Sequence, residues 1–207
     1  MIVLKVPFHA KDKVLIRETV ERGGVLAYPT DTVYGLGSNP YREDSVERIY
    51  RIKRRERSKP LPLLFDSMES IEKVAYVDDR IKRYLKRLWP GPVTFILKLK
   101  DRRLLNVTSG SPYVAVRIPK NEVALEVIKL SGGALIGTSA NRSGEPPCSD
   151  PNCVKRSIGE EIDILIDAGH QGVGIPSTIV RIGGGEVEIL REGALKKEYI
   201  MEVLKSF

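Results

Sequence analysis

The residues that could do chemistry fall in four segments rich in Gly, Pro, Ser, Thr or basic side chains: residues 28–37, 53–60, 138–147 and 172–178. The first carries hydroxyl groups that could line a small pocket, although a turn between two strands would use the same residue types. The third directly follows an apolar strand, and α/β sheets bind ligands at the carboxyl ends of their strands. A surface loop ended by prolines is the alternative there. These segments predict polar contacts to a small ligand.

The basic segment at residues 53–60 contains one lysine in an unusual place. Lys53 lies seven residues after Val46 and so continues the core-facing stripe of a predicted helix. We expect its ammonium group to meet an anion or to reach solvent along its aliphatic stem. Lysine binds phosphate as a point charge and arginine as a bidentate fork. The segment therefore predicts a triphosphate site, with cations that merely complement a helix dipole as the alternative.

Several common catalytic motifs are missing from the sequence. It has no Gly-x-x-x-x-Gly-Lys-Ser/Thr loop, no Gly-x-Ser-x-Gly elbow and no His-Glu-x-x-His, and its only histidines are His9 and His170. These absences argue against hydrolysis by a triad or by zinc. They favour a reaction that needs positioning, cations and Mg²⁺, such as adenylyl transfer.

The net charge of +7 is concentrated in one stretch of the chain. Residues 48–103 hold 17 basic and 7 acidic side chains, which predicts an anionic partner. The composition, 42% hydrophobic and 29% charged, is globular and excludes a disordered chain. No apolar run approaches the roughly 18 residues of a membrane span, and the first residues predict a strand rather than a signal peptide. We therefore expect a cytoplasmic protein with no membrane segment.

The elements that must position these segments alternate between helix and strand. We expect a single α/β domain over residues 1–207, a twisted mixed sheet with flanking helices. Helices are predicted over residues 11–22, 42–53, 78–89, 121–130 and 196–205. Strands are predicted over residues 1–7, 24–28, 61–65, 93–97, 114–118, 134–138 and 162–166, with a hairpin over 178–182 and 186–191.

The two cysteines, Cys148 and Cys153, give little information. No second pair exists to complete a zinc site, and they do not form a Cys-x-x-Cys motif. We expect plain thiols in a reducing cytosol, and we predict no metal site.

Six ordered motifs together resemble the YrdC family, the threonylcarbamoyl-AMP synthases. They are residues 28–36, 53–61, 89–94, 114–119, 138–144 and 176–180, and the similarity covers about residues 10–195. The chain resembles the short form of the family, without the extra C-terminal domain of longer members. The resemblance implies a twisted α/β fold with a deep basic cavity.

The resemblance also implies a reaction. L-Threonine and bicarbonate would form N-carboxythreonine, which attacks the α-phosphate of ATP and yields threonylcarbamoyl-AMP and pyrophosphate. Mg²⁺ would accompany the ATP. Downstream transfer proteins would then pass the threonylcarbamoyl group to an adenosine beside the tRNA anticodon.

The family's site residues can be carried over only to matching positions. Those on the threonine side are Thr32, Arg117, Ser139 and Ser177, with Leu64 where some members have His and where it could touch the substrate methyl. Those on the nucleotide side are Lys53, Arg55, Lys59, Tyr113, Asn141, Ser149 and Arg191. Lys53 and Arg55 are the catalytic candidates, since cations there would stabilise the charge that develops on departing pyrophosphate.

Two other interpretations stay open at this stage. The first is an RNA-binding module that uses a basic concave surface to hold tRNA or double-stranded RNA through phosphates. An aromatic content of 6% and the lack of an RNP-type motif argue against a sequence-specific reader. The second is a regulator that keeps the pocket without turnover.

Overall fold

The computed structural model describes residues 1–183 and 186–205 of the chain. The strands are β1 (Ile2–Lys5), β2 (Leu26–Tyr28), β3 (Gly35–Gly37), β4 (Leu63–Phe65), β5 (Val93–Lys98), β6 (Tyr113–Arg117), β7 (Ala134–Ile136), β8 (Thr138–Ser139), β9 (Ile164–Asp167), β10 (Thr178–Gly183) and β11 (Glu186–Arg191). The helices are α1 (Ala10–Glu21), α2 (Glu43–Lys53), α3 (Met68–Val74), α4 (Asp79–Leu88), α5 (Glu122–Leu130), α6 (Pro151–Ile158) and α7 (Lys197–Lys205).

The predicted mixed α/β fold is confirmed, with the strands divided between two sheets. One has the order β1-β9-β2-β3-β8 and the other β11-β10-β5-β6-β4-β7. The chain passes from the second sheet to the first at Gly137, which lies within the predicted strand 134–138. A Cβ at Gly137 would lie 2.2 Å from Leu64 Cγ, so only glycine fits this crossing.

The predicted hairpin is present as β10 and β11, which pair antiparallel with Arg181 opposite Glu188. Of the three glycines predicted to form its turn, the last two, residues 184–185, lie outside the described residues. Two short helices escaped prediction. Ser67 and Asp150 cap α3 and α6 by accepting hydrogen bonds from backbone N–H groups three residues later.

Two apolar cores hold the sheets and helices together. The larger joins α2 and α4 to β5 and β6, with Ile49, Leu85, Phe95 and Val116 fully buried. The smaller packs α1 and α5 against the first sheet. Each core contains residues of both sheets, so the cores hold the two sheets to each other.

The cysteine prediction is wrong, because Cys148 and Cys153 form a disulfide. The Asp150 cap starts α6 between them and brings their Cα atoms to 5.4 Å, within the range that a disulfide spans. The helix start between the two cysteines could have been predicted, since the Asp-Pro pair at residues 150–151 is typical of the first residues of a helix.

Candidate active site

A cavity of about 300 Å³ opens where the ends of several strands meet, and we call it the arginine cavity. The segment before β3 forms one wall, and β5, β6 and β10 form another. Its lining includes Thr30, Thr32, Val33, Arg55, Leu64, Thr94, Ile96, Ala115, Arg117, Ser139, Pro176, Ser177, Ile179 and Arg191. All five residues predicted for the threonine side are therefore brought together.

Arg117, at the end of β6, is the buried cation of this cavity. Its Nε donates to the Gly91 carbonyl and its Nη1 to the Thr32 hydroxyl, each at 3.0 Å. Its Nη2 donates to the Asp31 carboxylate. Burial lowers the pKa of Arg117, and the charge of Asp31 opposes that shift. Within residues 1–183 and 186–205, three of its five N–H groups have acceptors, which leaves two, the number that a bidentate carboxylate accepts.

Several hydroxyl groups line the same cavity. The Thr30 Oγ1 lies 3.0 Å from the Thr32 Oγ1 and donates to the Val33 carbonyl. On the opposite wall the Thr94 and Ser177 hydroxyls lie 2.8 Å apart. Sequence reasoning did not assign Thr94, although it belongs to one of the six motifs. The alternation of side chains along β5 could have pointed to this residue, because it places Thr94 on the same face of the strand as Ile96.

The apolar wall is completed by Leu64, which pairs with Arg117 across β4 and β6. Leu64 is 2% exposed and lies beside Ile96, Ala115 and Ile179 in the lining. The cavity thus places aliphatic groups next to a guanidinium and several hydroxyls. Such a set can hold a small molecule with a carboxylate, a polar arm and a methyl group.

A second cavity, of about 340 Å³, adjoins the first, and we call it the lysine cavity. Arg55, Ser139 and Pro176 line both cavities. The lysine cavity is also lined by Lys53, Arg54, Glu56, Lys59, Asn141, Ser143, Gly144, Glu145 and Pro147. Its lysines and arginines fit a phosphate-bearing ligand.

Lys53 is buried as its helical position predicted, with 2% exposure. The protein partners of its ammonium group are carbonyl oxygens, and contact with a bound anion stays a prediction. Its Nζ donates to the carbonyls of Ser139 and Asn141, at 2.6 and 2.7 Å. Burial, followed by the charge of Arg55, lowers the pKa of Lys53 to about 7. Carbonyl oxygens satisfy the group because they are strong acceptors that the loop at residues 139–141 brings there.

The other predicted cations are arranged by backbone carbonyls. The Arg55 guanidinium donates to the carbonyls of Lys59 and Pro60, and Arg191 donates to the carbonyl of Ser177 at 2.7 Å. Burial lowers the pKa of both arginines, and for Arg191 the charge of Arg55 adds to the effect. The two guanidinium groups therefore face the same space. Lys59 is exposed and pairs with Glu56 at 3.0 Å.

Two predicted nucleotide residues lie outside both linings. Tyr113 begins β6 and is 45% exposed. Ser149 precedes the cap of α6, and its carbonyl accepts from the backbone N–H of Gln171. Within residues 1–183 and 186–205 no cluster of three or more His, Cys, Asp or Glu side chains could hold a metal ion. No helix within those ranges is long and apolar enough to cross a membrane.

The mixed α/β fold with two adjoining polar cavities defines a class of small-molecule-binding protein. The chain belongs to the Sua5/YciO/YrdC family, whose model, described as "Telomere recombination", matches residues 18–193. It is 35% identical over 186 residues to the threonylcarbamoyl-AMP synthase of Pyrococcus abyssi, covering 89% of this chain and 55% of that one. The Bacillus subtilis threonylcarbamoyl-AMP synthase is 34% identical, over 96% of this chain and 57% of its own.

Solved structures agree with the fold. P. abyssi Sua5 complexed with L-threonine superposes with a TM-score of 0.92 at 32% identity, covering 99% of this chain and 60% of that one. E. coli YciO superposes with a TM-score of 0.81 at 28% identity, over 94% and 96% of the two chains. The chain thus spans less than two thirds of the length of the P. abyssi and B. subtilis relatives described above.

Proposed function

We propose that this chain is a threonylcarbamoyl-AMP synthase, acting on L-threonine, bicarbonate and ATP. The observation that carries the proposal is Arg117, which is buried in a cavity lined by hydroxyls and has two N–H groups without an acceptor among the described residues. The adjoining cationic cavity shares Arg55 with it. A threonine carboxylate would take those two donors. Its methyl group would contact Leu64 and Ile179, and its hydroxyl would bond to Ser177 or Thr94.

The proposed reaction joins the two ligands in two steps. The threonine nitrogen attacks the carbon of bicarbonate, forming an N–C bond with loss of water. An oxygen of the resulting carbamate attacks the α-phosphorus, and the bond from that phosphorus to the β-phosphate oxygen breaks, so that pyrophosphate leaves. Arg55 and Arg191 stabilise the charge that moves to the pyrophosphate. Lys53 adds charge and holds the loop at residues 139–141.

Mg²⁺ would arrive as part of the nucleotide substrate. A nucleotide-bound Mg²⁺ keeps several waters and takes one or two protein carboxylates. Glu56 and Glu145 line the lysine cavity and would offer the ion carboxylates. The product would pass to transfer proteins that act on tRNA, and we propose the cytoplasm as the place of reaction.

The test is pyrophosphate release in the presence of ATP, L-threonine and bicarbonate, with threonylcarbamoyl-AMP identified by mass spectrometry. We expect release to require all three substrates. Pyrophosphate release without threonine would overturn the proposal. Binding of both ligands with no pyrophosphate would identify a regulator that has kept the pocket.

A second candidate function, direct contact with RNA, is favoured by two exposed tyrosines that each have a basic side chain near the ring. Tyr76 is 54% exposed with Lys98 Nζ 5.7 Å from its ring centre, and Tyr41 is 43% exposed with Arg103 at 4.9 Å. Exposed rings among cations can stack on bases beside phosphate contacts. Binding of tRNA or double-stranded RNA should fall steeply with salt. If ATP does not displace the RNA and Lys53→Ala spares RNA binding, the two surfaces are separate.

A further inference from the structure

The arginine cavity carries an excess of positive charge. Arg55, Arg117 and Arg191 all face it, and no acidic side chain of the described residues belongs to its lining. A cleft lined by one sign of charge concentrates any ligand of the other sign. Unopposed, these arginines would draw in any small carboxylic acid as well as an amino acid.

Asp31 is the counter-charge at this place. Its Oδ1 accepts from Arg117 Nη2, and its side chain is 13% exposed. Its Oδ2 is buried and has no hydrogen-bond partner within residues 1–183 and 186–205. No other donor of the described chain therefore shares this carboxylate, and its negative charge acts on whatever binds to Arg117.

We propose that Asp31 makes the arginine cavity select a zwitterionic amino acid over a plain carboxylic acid. The inference rests on the proposed function, in which the ligand's carboxylate binds Arg117. That carboxylate is attracted by Arg117 and repelled by Asp31. In an amino acid the ammonium group on the adjacent carbon is attracted by Asp31, which offsets the repulsion. A hydroxy acid without the ammonium group experiences the repulsion alone, so Asp31 is a specificity-determining residue.

The experiment compares L-threonine with (R)-3-hydroxybutyrate, which lacks only the amino group. Dissociation constants are measured by calorimetry, with the weaker ligand in competition against threonine. For Asp31→Asn we expect the ratio of the two constants, hydroxybutyrate over threonine, to fall at least about tenfold, because one charge at close range has been removed. Asp31→Glu, which keeps the charge, should keep the ratio within about threefold of the wild-type value.

The matched control is Asp163→Asn. Asp163 pairs with Arg48 at 2.6 Å, away from both cavities, so the same chemical change there should leave the ratio unaltered. Asp31→Ser, also without charge, is measured in parallel so that one misfolded variant does not decide the result. An unchanged ratio in a folded, charge-free Asp31 variant overturns the inference alone. Absence of threonine binding by the wild-type protein overturns the proposed function and the inference with it.

Discussion

The Lys53 ammonium group donates a hydrogen bond to the Asn141 carbonyl at 2.7 Å, across 88 positions of the sequence. The backbone N–H of Ser143 returns a bond to the Lys53 carbonyl at 2.8 Å. The end of α2 and the loop after β8 are therefore clamped in both directions. Because Ser139 and Asn141 line the lysine cavity, Lys53 fixes part of the cavity wall in addition to contributing positive charge to it.

Lys53→Met should weaken ATP binding in a pH-dependent way. The pKa of Lys53 is lowered to about 7, so its ammonium group is charged below that pH and neutral above it. We expect the KM for ATP to rise about tenfold in the variant at pH 6, where a charge is lost, and much less at pH 8.5. The measurement is the variant to wild-type ratio of KM across pH, which cancels the titration of ATP itself. A ratio that does not change with pH contradicts a charge role for Lys53.

Arg117→Ala should raise the threonine requirement far more than the ATP requirement. Truncating one member of a buried charge pair costs about 2–5 kcal/mol, so the KM for threonine should rise about 30-fold or more. Initial rates at varied threonine and ATP check this. Equal effects on both KM values would contradict the assignment.

The pair of Arg117 and Asp31 also leads to a prediction about thermal stability. The single variant Arg117→Met should have a lower melting temperature than the double variant Arg117→Met/Asp31→Asn, because the single change leaves Asp31 buried without its partner.

Thr94→Val should raise the KM for threonine and leave kcat nearly unchanged. The change removes the hydroxyl that lies 2.8 Å from the Ser177 hydroxyl while keeping the side-chain shape. We expect the KM for threonine to rise about fivefold, since one neutral hydrogen bond contributes about 1 kcal/mol. Thr108→Val is the matched control, because its buried hydroxyl bonds to the Ser111 carbonyl outside both cavities. Similar KM changes in the two variants would rule out a specific role for Thr94.

We expect the protein to accept serine, but as a poor substrate. One methyl group in an apolar pocket discriminates by about 1–3 kcal/mol, so kcat/KM for serine should be about 10–200-fold below that for threonine. Leu64→Ala should reduce this ratio of kcat/KM between threonine and serine, because Leu64 forms part of the apolar wall. Leu63→Ala, on the same strand and outside the lining, should leave the ratio unchanged. An unchanged ratio in Leu64→Ala would place the methyl group elsewhere.

Reduction of the disulfide should lower stability and affect the site only indirectly. Cys148 accepts a backbone hydrogen bond from Tyr34 at 2.7 Å, so the disulfide helps to fix the loop that packs on the threonine side. We expect the double variant Cys148→Ser/Cys153→Ser to lose about 1–3 kcal/mol of unfolding free energy, at the low end for a disulfide because the closed loop is short. Denaturant titration measures it. Alkylation of both cysteines without reductant would show that the thiols are free.

Local patterns predicted most of the elements because helix and strand periodicities are properties of neighbouring residues. The stripe of Val46 and Ile49 predicted both α2 and the burial of Lys53. The short helices α3 and α6 were missed, since seven or eight residues hold too few turns for a clear periodicity and only their caps mark them. The disulfide was missed because pairing requires that α6 start between the two cysteines.

The sequence by itself determined which residue types reach the site, because the order of the motifs, the alternation of side chains in β5 and β6 and the apolar stripe of α2 are all local features of the chain. Only the tertiary structure decided their partners. It set Asp31 against Arg117 across 86 positions and gave the Lys53 ammonium group two carbonyls as its protein partners. The physical reason is that a buried cation takes whichever acceptor the folded chain brings within hydrogen-bonding distance, and strand registry between distant segments sets that distance.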